Sequence, residues 1–432
     1  MTKAFISNCG TMAKPLTQPV GWIDNHSQDS HLLGRNSSMK HALCIIALCW
    51  SFSGFAIAQQ AKTEAQITPA VQLTIDDLRT FTDVFSQIRS NYIDEIDDHS
   101  LLVAGIEGML SKLDPWSVFL DAQRSQQLDD SSMGRYGGIG VSLDLRNWRM
   151  RVDSVTPGGP AQKAGISAGD LITAVGGKPV RGRKLFESTE ALTGEPGSEV
   201  NVRFKSSGRA SRDVTMVREF IPVSSVISEL LDGGTAYFQV SHFHSSTHTE
   251  LQSLIANLFN DDSTQPKQII IDLRGNGGGV VLPAIEIADG FLDEGMIVYT
   301  QGRYQASLLN FQAHPGQWAS GVPIAILVDG QTASASEVFT GAMKDHGRAV
   351  IIGEKTFGKG AIQSIFKLRN GSMLKLTTAH YFTPLGTTIH EKGIEPDINI
   401  ASTTFFPGYP LDLENDVVLQ TAISQFEKTG SQ

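Results

Sequence analysis

No cysteine occurs beyond position 49 in this chain of 432 residues; the three present are Cys9, Cys44 and Cys49. From Trp50 onward the sequence therefore offers no disulfide, no thiolate metal site and no cysteine nucleophile. Clustered positive charge is missing as well. The formal net charge is −10 and no basic stripe occurs, which excludes the grip that nucleic-acid phosphates require. There is no internal repeat and no long low-complexity tract, so neither a solenoid nor a disordered polymer is expected. An apolar run fit to cross a bilayer is also lacking. The charge-free stretch from Ala42 to Ala58 contains Ser51, Ser53 and Gly54 and falls short of the roughly 20 apolar residues a spanning helix needs.

That stretch follows Met39-Lys40-His41 and ends in Ala56-Ile57-Ala58, with polar Gln59 and Gln60 behind it, which is the pattern of a cleaved export signal. Residues 1–38 are polar and without periodicity, and read as lying upstream of a true start at Met39. Cleavage after Ala58 removes every cysteine and leaves the chain more acidic still, since four basic but only two acidic residues are lost. The expectation is an exported, periplasmic protein with its signal at 39–58; a retained anchor or peripheral membrane association is the alternative.

What is present divides by texture. After a linker at 59–72, apolar residues recur at helical spacing through Leu78, Phe81, Phe85, Ile88 and Tyr92, then Leu101, Ile106, Met109, Leu110 and Leu113. These predict two helices in an N-terminal segment over 73–125, stopped at Asp114-Pro115 because the residue before proline leaves the helical region. Over 134–219 short alternating runs broken by glycine predict a small β-rich domain. From 223 to 400 strands and helices alternate: strands at Thr235 to Val240, Gln268 to Leu273 and Val322 to Val328, helices at Thr249 to Leu258, Ala284 to Phe291 and Ala335 to His346. This is an α/β pattern. Asn370-Gly371 marks a hairpin, and 401–432 is a tail with one helix from Val417 to Phe426.

Several segments carry chemistry. Thr332-Ala333-Ser334-Ala335-Ser336-Glu337 comes after an apolar strand, and a serine at a strand-to-helix turn has an exposed hydroxyl beside N–H groups able to hold an oxyanion. Ser334 with Glu337 three residues on is equally a capping box. Lys359, in Thr356-Phe357-Gly358-Lys359-Gly360, is a cation in an otherwise apolar region, where burial favours the neutral amine a base needs. The same stretch is a defective phosphate loop: Gly360 stands where a nucleotide site needs Ser or Thr, and it leads into a strand rather than a helix. Asp272 to Gly279 closes a buried strand with glycines that bring N–H groups close to a ligand. His242, His244 and His248 lack a further ligand at metal spacing. A triad using His346 or His380 stays open, because triads are defined by geometry and not by order. Gly138-Ile139-Gly140-Val141 runs from a glycine turn into a strand, a place where N–H groups can capture a terminal carboxylate.

Together these blocks resemble the carboxyl-terminal processing proteases, or tail-specific proteases, of the Ser-Lys class. The resemblance runs from about Leu78 to Asp397 and includes Gly108 to Pro115, Asp272 to Gly279, Ala333 to Glu337, Thr356 to Gly360 and Gly393-Ile394-Glu395-Pro396-Asp397. It implies an α/β multidomain fold: a helical N-terminal segment, a β-rich PDZ-like domain and a ClpP/crotonase-like α/β protease core. It implies a serine-type endopeptidase without cofactor or metal, with Ser334 as nucleophile, Lys359 as general base and Gln363 orienting the lysine. The N–H groups of Gly279 and Ala335 would form the oxyanion hole, with Gly278 competing, and Asp345 would be a supporting acidic residue. Gly138, Ile139, Gly140 and Val141 would bind substrate C-termini in the PDZ-like domain, while Ser336 stays a cap or packing residue. Partners would be proteins or peptides with accessible C-termini, not nucleic acid; a homo-oligomer or a regulatory adaptor stays open. One departure is Trp116, where the family shows histidine or tyrosine after Asp-Pro; far from the dyad in sequence, it bears only on packing of the helical region. Three rivals remain: a silent PDZ scaffold, a hydrolase with a histidine base, and an NTPase.

Overall fold

The computed structural model describes residues 73–146, 149–181, 185–260, 265–401, 411 and 415–429, so the proposed export signal lies outside the described residues. Among the described residues no helix is long and apolar enough to cross a membrane. The N-terminal periodicity becomes α1 (Ile75–Asn91) and α2 (Asp98–Leu110), the latter capped by Asp97, which accepts the Ser100 N–H at 2.8 Å. α1 buries none of its residues, and Leu78, Phe81 and Val84 are each at least half exposed. The spacing thus gave the helix but not a partner for its apolar face. β1 (Val118–Leu120) and α3 (Ala122–Ser132) come next. α3 has no apolar stripe to announce it and is started by Asp121, which accepts the Arg124 N–H at 2.8 Å.

The β-rich domain comprises β2 (Arg135–Gly138), β3 (Val141–Arg146), β4 (Arg149–Val155), α4 (Pro160–Lys163), β5 (Leu171–Val175), β6 (Lys178–Pro179), α5 (Leu185–Glu190), β7 (Glu199–Lys205), β8 (Arg212–Val217) and β9 (Glu219–Pro222). Its antiparallel sheet runs β3-β4-β5-β7-β8, with β6 beside β5. Alternation does the sorting: Val200, Val202 and Phe204 of β7 turn inward to meet Met150, Val152 and Ile172 in a core of their own. β3 lies at the sheet edge. β2 and β9 pair with each other where the domain joins the rest of the chain.

The third region contains β10 (Val226–Leu231), β11 (Thr235–Val240), α6 (Thr247–Phe259), β12 (Gln268–Asp272), α7 (Val281–Phe291), β13 (Met296–Gly302), β14 (Asn310–Gln312) and β15 (Ile324–Val328). It continues with α8 (Ala335–Asp345), β16 (Val350–Gly353), β17 (Ala361–Lys367), β18 (Met373–Phe382), β19 (Ile398–Asn399) and α9 (Val417–Thr429). Its main sheet runs β10-β11-β12-β15-β16-β19 and is parallel except at the β10–β11 pair. Parallel strands are covered on both faces, hence the unbroken apolar runs. Ile269 and Ile271 face Leu251, Phe291 and Phe339 of α6, α7 and α8, while Ile270 between them faces Tyr237 and Leu419 on the α9 side. Each such side chain contributes about 1.5–3 kcal/mol by burial. A second sheet runs β1-β18-β13-β14, with β17 on β18. Val118 of β1 lies opposite Lys375 of β18, so the N-terminal segment is built into the third region's second sheet.

The carboxyl ends of β12, β15 and β16 release three loops that touch one another, the position where open α/β sheets place their sites. The Ala333 N–H donates to the Asn276 carbonyl at 3.0 Å, and the Phe357 N–H to the Thr332 carbonyl at 3.0 Å.

Candidate active site

Ser334 stands at the start of α8 with φ 58° and ψ −115°. A left-handed φ at a residue with a Cβ costs roughly 1–3 kcal/mol and persists only where neighbours impose it. The neighbours are identifiable. Asp329, at the end of β15, accepts the Gln331 and Thr332 N–H groups at 2.9 Å each and the Gly275 N–H at 3.0 and 3.1 Å through its two oxygens. The Thr332 hydroxyl reaches back to the Leu273 carbonyl at 3.0 Å. The serine turn and the glycine loop are thus stitched to one carboxylate. Contrary to the expectation of an exposed hydroxyl, Ser334 is only 8% exposed, because both flanking loops close over the turn.

Glu337 is wholly buried and does more than cap its helix. One oxygen, Oε2, accepts the N–H groups of Ser334 and of Lys359, each at 2.8 Å; the other, Oε1, accepts the Thr356 hydroxyl at 2.6 Å and the Gly358 N–H at 2.7 Å. The backbone nitrogens of residues 334 and 359 therefore lie within about twice one hydrogen-bond length of each other. Burial pushes the Glu337 carboxyl up, and its four donors pull it back toward the anion. The capping-box pattern made Glu337 visible in the sequence, but its reach to the lysine loop, 22 positions on, had no local signal.

Lys359 is half-buried. Burial first, then the charge of nearby Lys375, push its ammonium below the ordinary lysine value, while Glu337 opposes them. Lys375, itself pushed down by burial, comes from β18. Among the described residues the Lys359 Nζ has no hydrogen-bond acceptor, the Ser334 hydroxyl included; it lies 4.4 Å from the centroid of the Trp116 ring. The restriction of Trp116 to helical packing is therefore corrected. β1 pairs with β18, which carries the preceding Asp114-Pro115-Trp116-Ser117 turn to the lysine.

On the glycine loop, an added Cβ at Gly278 would stand 2.8 Å from the Ser334 Cβ, so only glycine permits this approach. The Gly278 N–H is taken by the Asn276 Oδ1 at 2.9 Å. The N–H groups of Gly279 and Ala335 have no acceptor among the described residues. Of the two glycines competing for the oxyanion role, Gly279 has the N–H to spare. Asn276, wholly buried, was missed in the sequence: its carbonyl also accepts the Ala333 N–H and, at 3.1 Å, the Ser336 hydroxyl, which makes Ser336 a packing residue of this joint.

Gln363 sits on β17, its amide nitrogen 3.1 Å from the Ala361 carbonyl and 3.4 Å from the Thr377 hydroxyl, and the structure does not bring it onto Lys359. His346 is at the far end of α8, about 18 Å along the helix from Ser334, and lies 2.6 Å from the Met296 carbonyl. His380 stacks on His390, with ring centroids 4.4 Å apart, and burial pushes it down. Asp345 accepts the Leu385 N–H at 2.9 Å. His242 stands against Gly279, His244 is buried beside Glu250, and His248 packs on Trp318. Among the described residues no group of three or more His, Cys, Asp or Glu is placed to hold a metal. Beyond Lys359 the chain enters the β17–β18 hairpin, not a phosphate-binding helix.

In the β-rich domain Gly138 ends β2, Ile139 is buried at 1% exposure and Gly140 takes φ 73° before Val141 opens the edge strand β3. The Ile139 and Gly140 carbonyls are used by Ala161 and Thr156 N–H groups, whereas their own N–H groups have no acceptor among the described residues. Two free donors beside an open strand edge suit a terminal carboxylate.

Comparison with known proteins agrees with this layout. Residues 234–400 match the family model of peptidase family S41, residues 137–214 the PDZ domain, and residues 46–124 the N-terminal domain of the activating protease CtpB. The chain is 38% identical over 329 residues to a carboxy-terminal-processing protease of Bartonella bacilliformis, covering 76% of each. It is 33% identical over 315 residues to the carboxy-terminal processing protease CtpA of Bacillus subtilis, covering 73% of this chain and 67% of that protein. A solved S41 protease from Bacteroides fragilis shares the fold, with a TM-score of 0.50 at 15% identity, over 84% of this chain and 99% of that one.

Proposed function

Because the chain belongs to the carboxy-terminal-processing proteases of peptidase family S41 and carries a PDZ domain, we propose that it is a serine endopeptidase working through Ser334 and Lys359. The observation that carries this reading is the single oxygen of Glu337 that accepts the backbone N–H of both residues. In the reaction, the neutral Lys359 amine takes the proton of the Ser334 hydroxyl as the oxygen attacks the peptide carbonyl. The negative charge that develops on the carbonyl oxygen is received by the Gly279 and Ala335 N–H groups, which have no acceptor among the described residues. Lys359 then returns its proton to the leaving amine; water, deprotonated by the same lysine, attacks the ester, and the lysine gives that proton to the departing Ser334 oxygen as the acid is released. Burial first, then Lys375, favour loss of the Lys359 proton, and Glu337 favours the transient ammonium. Turnover further requires Nζ within hydrogen-bond reach of the Ser334 oxygen, a contact reached by turning the side chain from the indole ring. The orienting role expected of Gln363 would require its amide to leave the Ala361 carbonyl and the Thr377 hydroxyl.

The preferred substrates are exported proteins read from their C-terminal ends, the terminal carboxylate resting on the Ile139 and Gly140 N–H groups and the peptide pairing with β3. Hydrolysis by the full chain of a peptide with a free C-terminus, compared with its amidated form, tests both parts. Loss of turnover in Ser334→Ala and in Lys359→Ala is expected, and a lower KM for the free acid. Retained turnover in Lys359→Ala would sink the dyad; equal KM for acid and amide would sink C-terminal recognition alone. Export is tested separately by sequencing the mature N-terminus, expected at Gln59.

A further inference from the structure

The indole ring of Trp116 faces an ammonium that has no hydrogen-bond acceptor among the described residues. Nζ of Lys359 lies 4.4 Å from the ring centroid, inside the distance at which a cation is held by the ring quadrupole. The ring is itself fixed. Asp114 Oδ1 accepts the N–H groups of Trp116 and Ser117, each at 2.8 Å, and the Ser117 hydroxyl donates to Asp114 Oδ2 at 2.8 Å while accepting the Thr377 N–H at 3.1 Å. Through Thr377 the turn is anchored to β18, and Phe357 closes edge-on against the indole at 6.1 Å and 77°. The charged groups acting on Lys359 are Lys375 from β18 and Glu337 from α8; Asp114 accepts the donors of its own turn, and the His380 ring lies against His390. Lys375 is repulsive, and the Glu337 carboxylate is filled by the donors named above. The ring face is what remains.

We propose that Trp116 is a positioning residue that clasps the Lys359 side chain in its protonated form, so that the indole competes with Ser334 for the lysine. The proposal rests on the Ser-Lys reading for its consequence in catalysis, not for the clasp itself. A cation held on a ring keeps its proton more tightly. It also sits where Ser334 does not receive it. Because the ring belongs to the turn between α2 and β1, any displacement of that turn frees the lysine.

The test uses the full chain with Ser334→Ala to prevent self-cleavage. Acylation of Lys359 by acetic anhydride is monitored across pH by mass spectrometry of the peptide that contains it, in chains bearing Trp116, Trp116→Phe or Trp116→Leu. The midpoint should fall in that order, by roughly half a unit or more for leucine, since a cation–π contact favours only the charged form. Mere shielding from water predicts the opposite: a smaller side chain hydrates the amine and raises the midpoint, and an unchanged or raised midpoint overturns the clasp. Should the leucine chain not fold, the phenylalanine chain decides by the same direction. In chains that retain Ser334, the acid limb of kcat/KM should move down with the amine. A limb that stays while the Lys359 midpoint falls leaves the clasp standing and removes the dyad.

Discussion

Glu337→Gln is the sharpest single perturbation of this site, because the substitution preserves shape and changes only what the two terminal atoms can accept. The carboxylate receives four donors, two on each oxygen. A glutamine must place an NH2 group against one of those pairs. If it faces Ser334 and Lys359, two N–H groups lose their acceptor. If it faces Thr356 and Gly358, the hydroxyl can turn and accept, but it already accepts the Ile394 N–H at 2.7 Å, and Gly358 remains unpaired. In either orientation two hydrogen bonds to the charged group are lost in a buried site, at about 1.5–3 kcal/mol each; the second lone pair of the Thr356 hydroxyl regains one weaker bond in the latter, and not burying a charge offsets a further part. A net loss of about 3 kcal/mol is expected, lowering Tm by roughly 6–12 °C for a region of this size. Since the same carboxylate sets where residues 334 and 359 stand, kcat/KM should fall by about a hundredfold, the usual consequence of an ångström-scale misplacement. Calorimetry and hydrolysis of a fluorogenic peptide read the two effects. A Glu337→Gln chain with kcat/KM within about twofold and Tm within about 2 °C of the parent would refute the idea that this carboxylate assembles the site.

The same contacts set other outcomes. Ser334→Gly should abolish hydrolysis yet raise Tm slightly, because glycine accepts φ 58° without the cost of a Cβ; a Tm below that of Ser334→Ala would show that the turn is not strained. Lys375→Met removes the like charge beside Lys359, so the acid limb of kcat/KM should move to higher pH, opposite in direction to Trp116→Leu. Because the Lys359 ammonium is held below its ordinary value, the unfolded chain binds that proton more tightly, and stability should climb as pH rises from the folded value toward 10.5; Lys359→Met should flatten that rise in alkaline unfolding curves. Asp416→Ala should loosen α9, since Asp416 pairs with the buried Arg274 at 2.6 and 2.8 Å and accepts the Leu419 N–H at 3.0 Å; faster amide exchange in α9 at a cost of about 3 kcal/mol is expected, and unchanged exchange would discount this tie.

The parts of the fold legible in the sequence were those whose cause is local. The apolar runs of β11, β12 and β15 reflect strands covered on both faces, and they were found to within two residues. α8 was legible because its capping signal and its apolar stripe coincide. α3 was not, since a polar helix held by one cap and its neighbours leaves no period to detect. β13 and β14 were missed because their register depends on partners distant in the chain.

The candidate site divides along the same line. Residue types and order along the chain determined that a serine at a strand-to-helix turn, a lysine between glycines and a glycine-ended strand are all present, because each is a short-range demand of backbone conformation. Only the tertiary structure decided that one buried carboxylate holds the serine and lysine loops together, that Gly278 spends its N–H on Asn276 while that of Gly279 has no acceptor among the described residues, and that Trp116 lies over the lysine. The physical reason is that hydrogen bonds and ring contacts act over a few ångströms of space and carry no trace of the number of residues between the partners, here 243 positions from tryptophan to lysine.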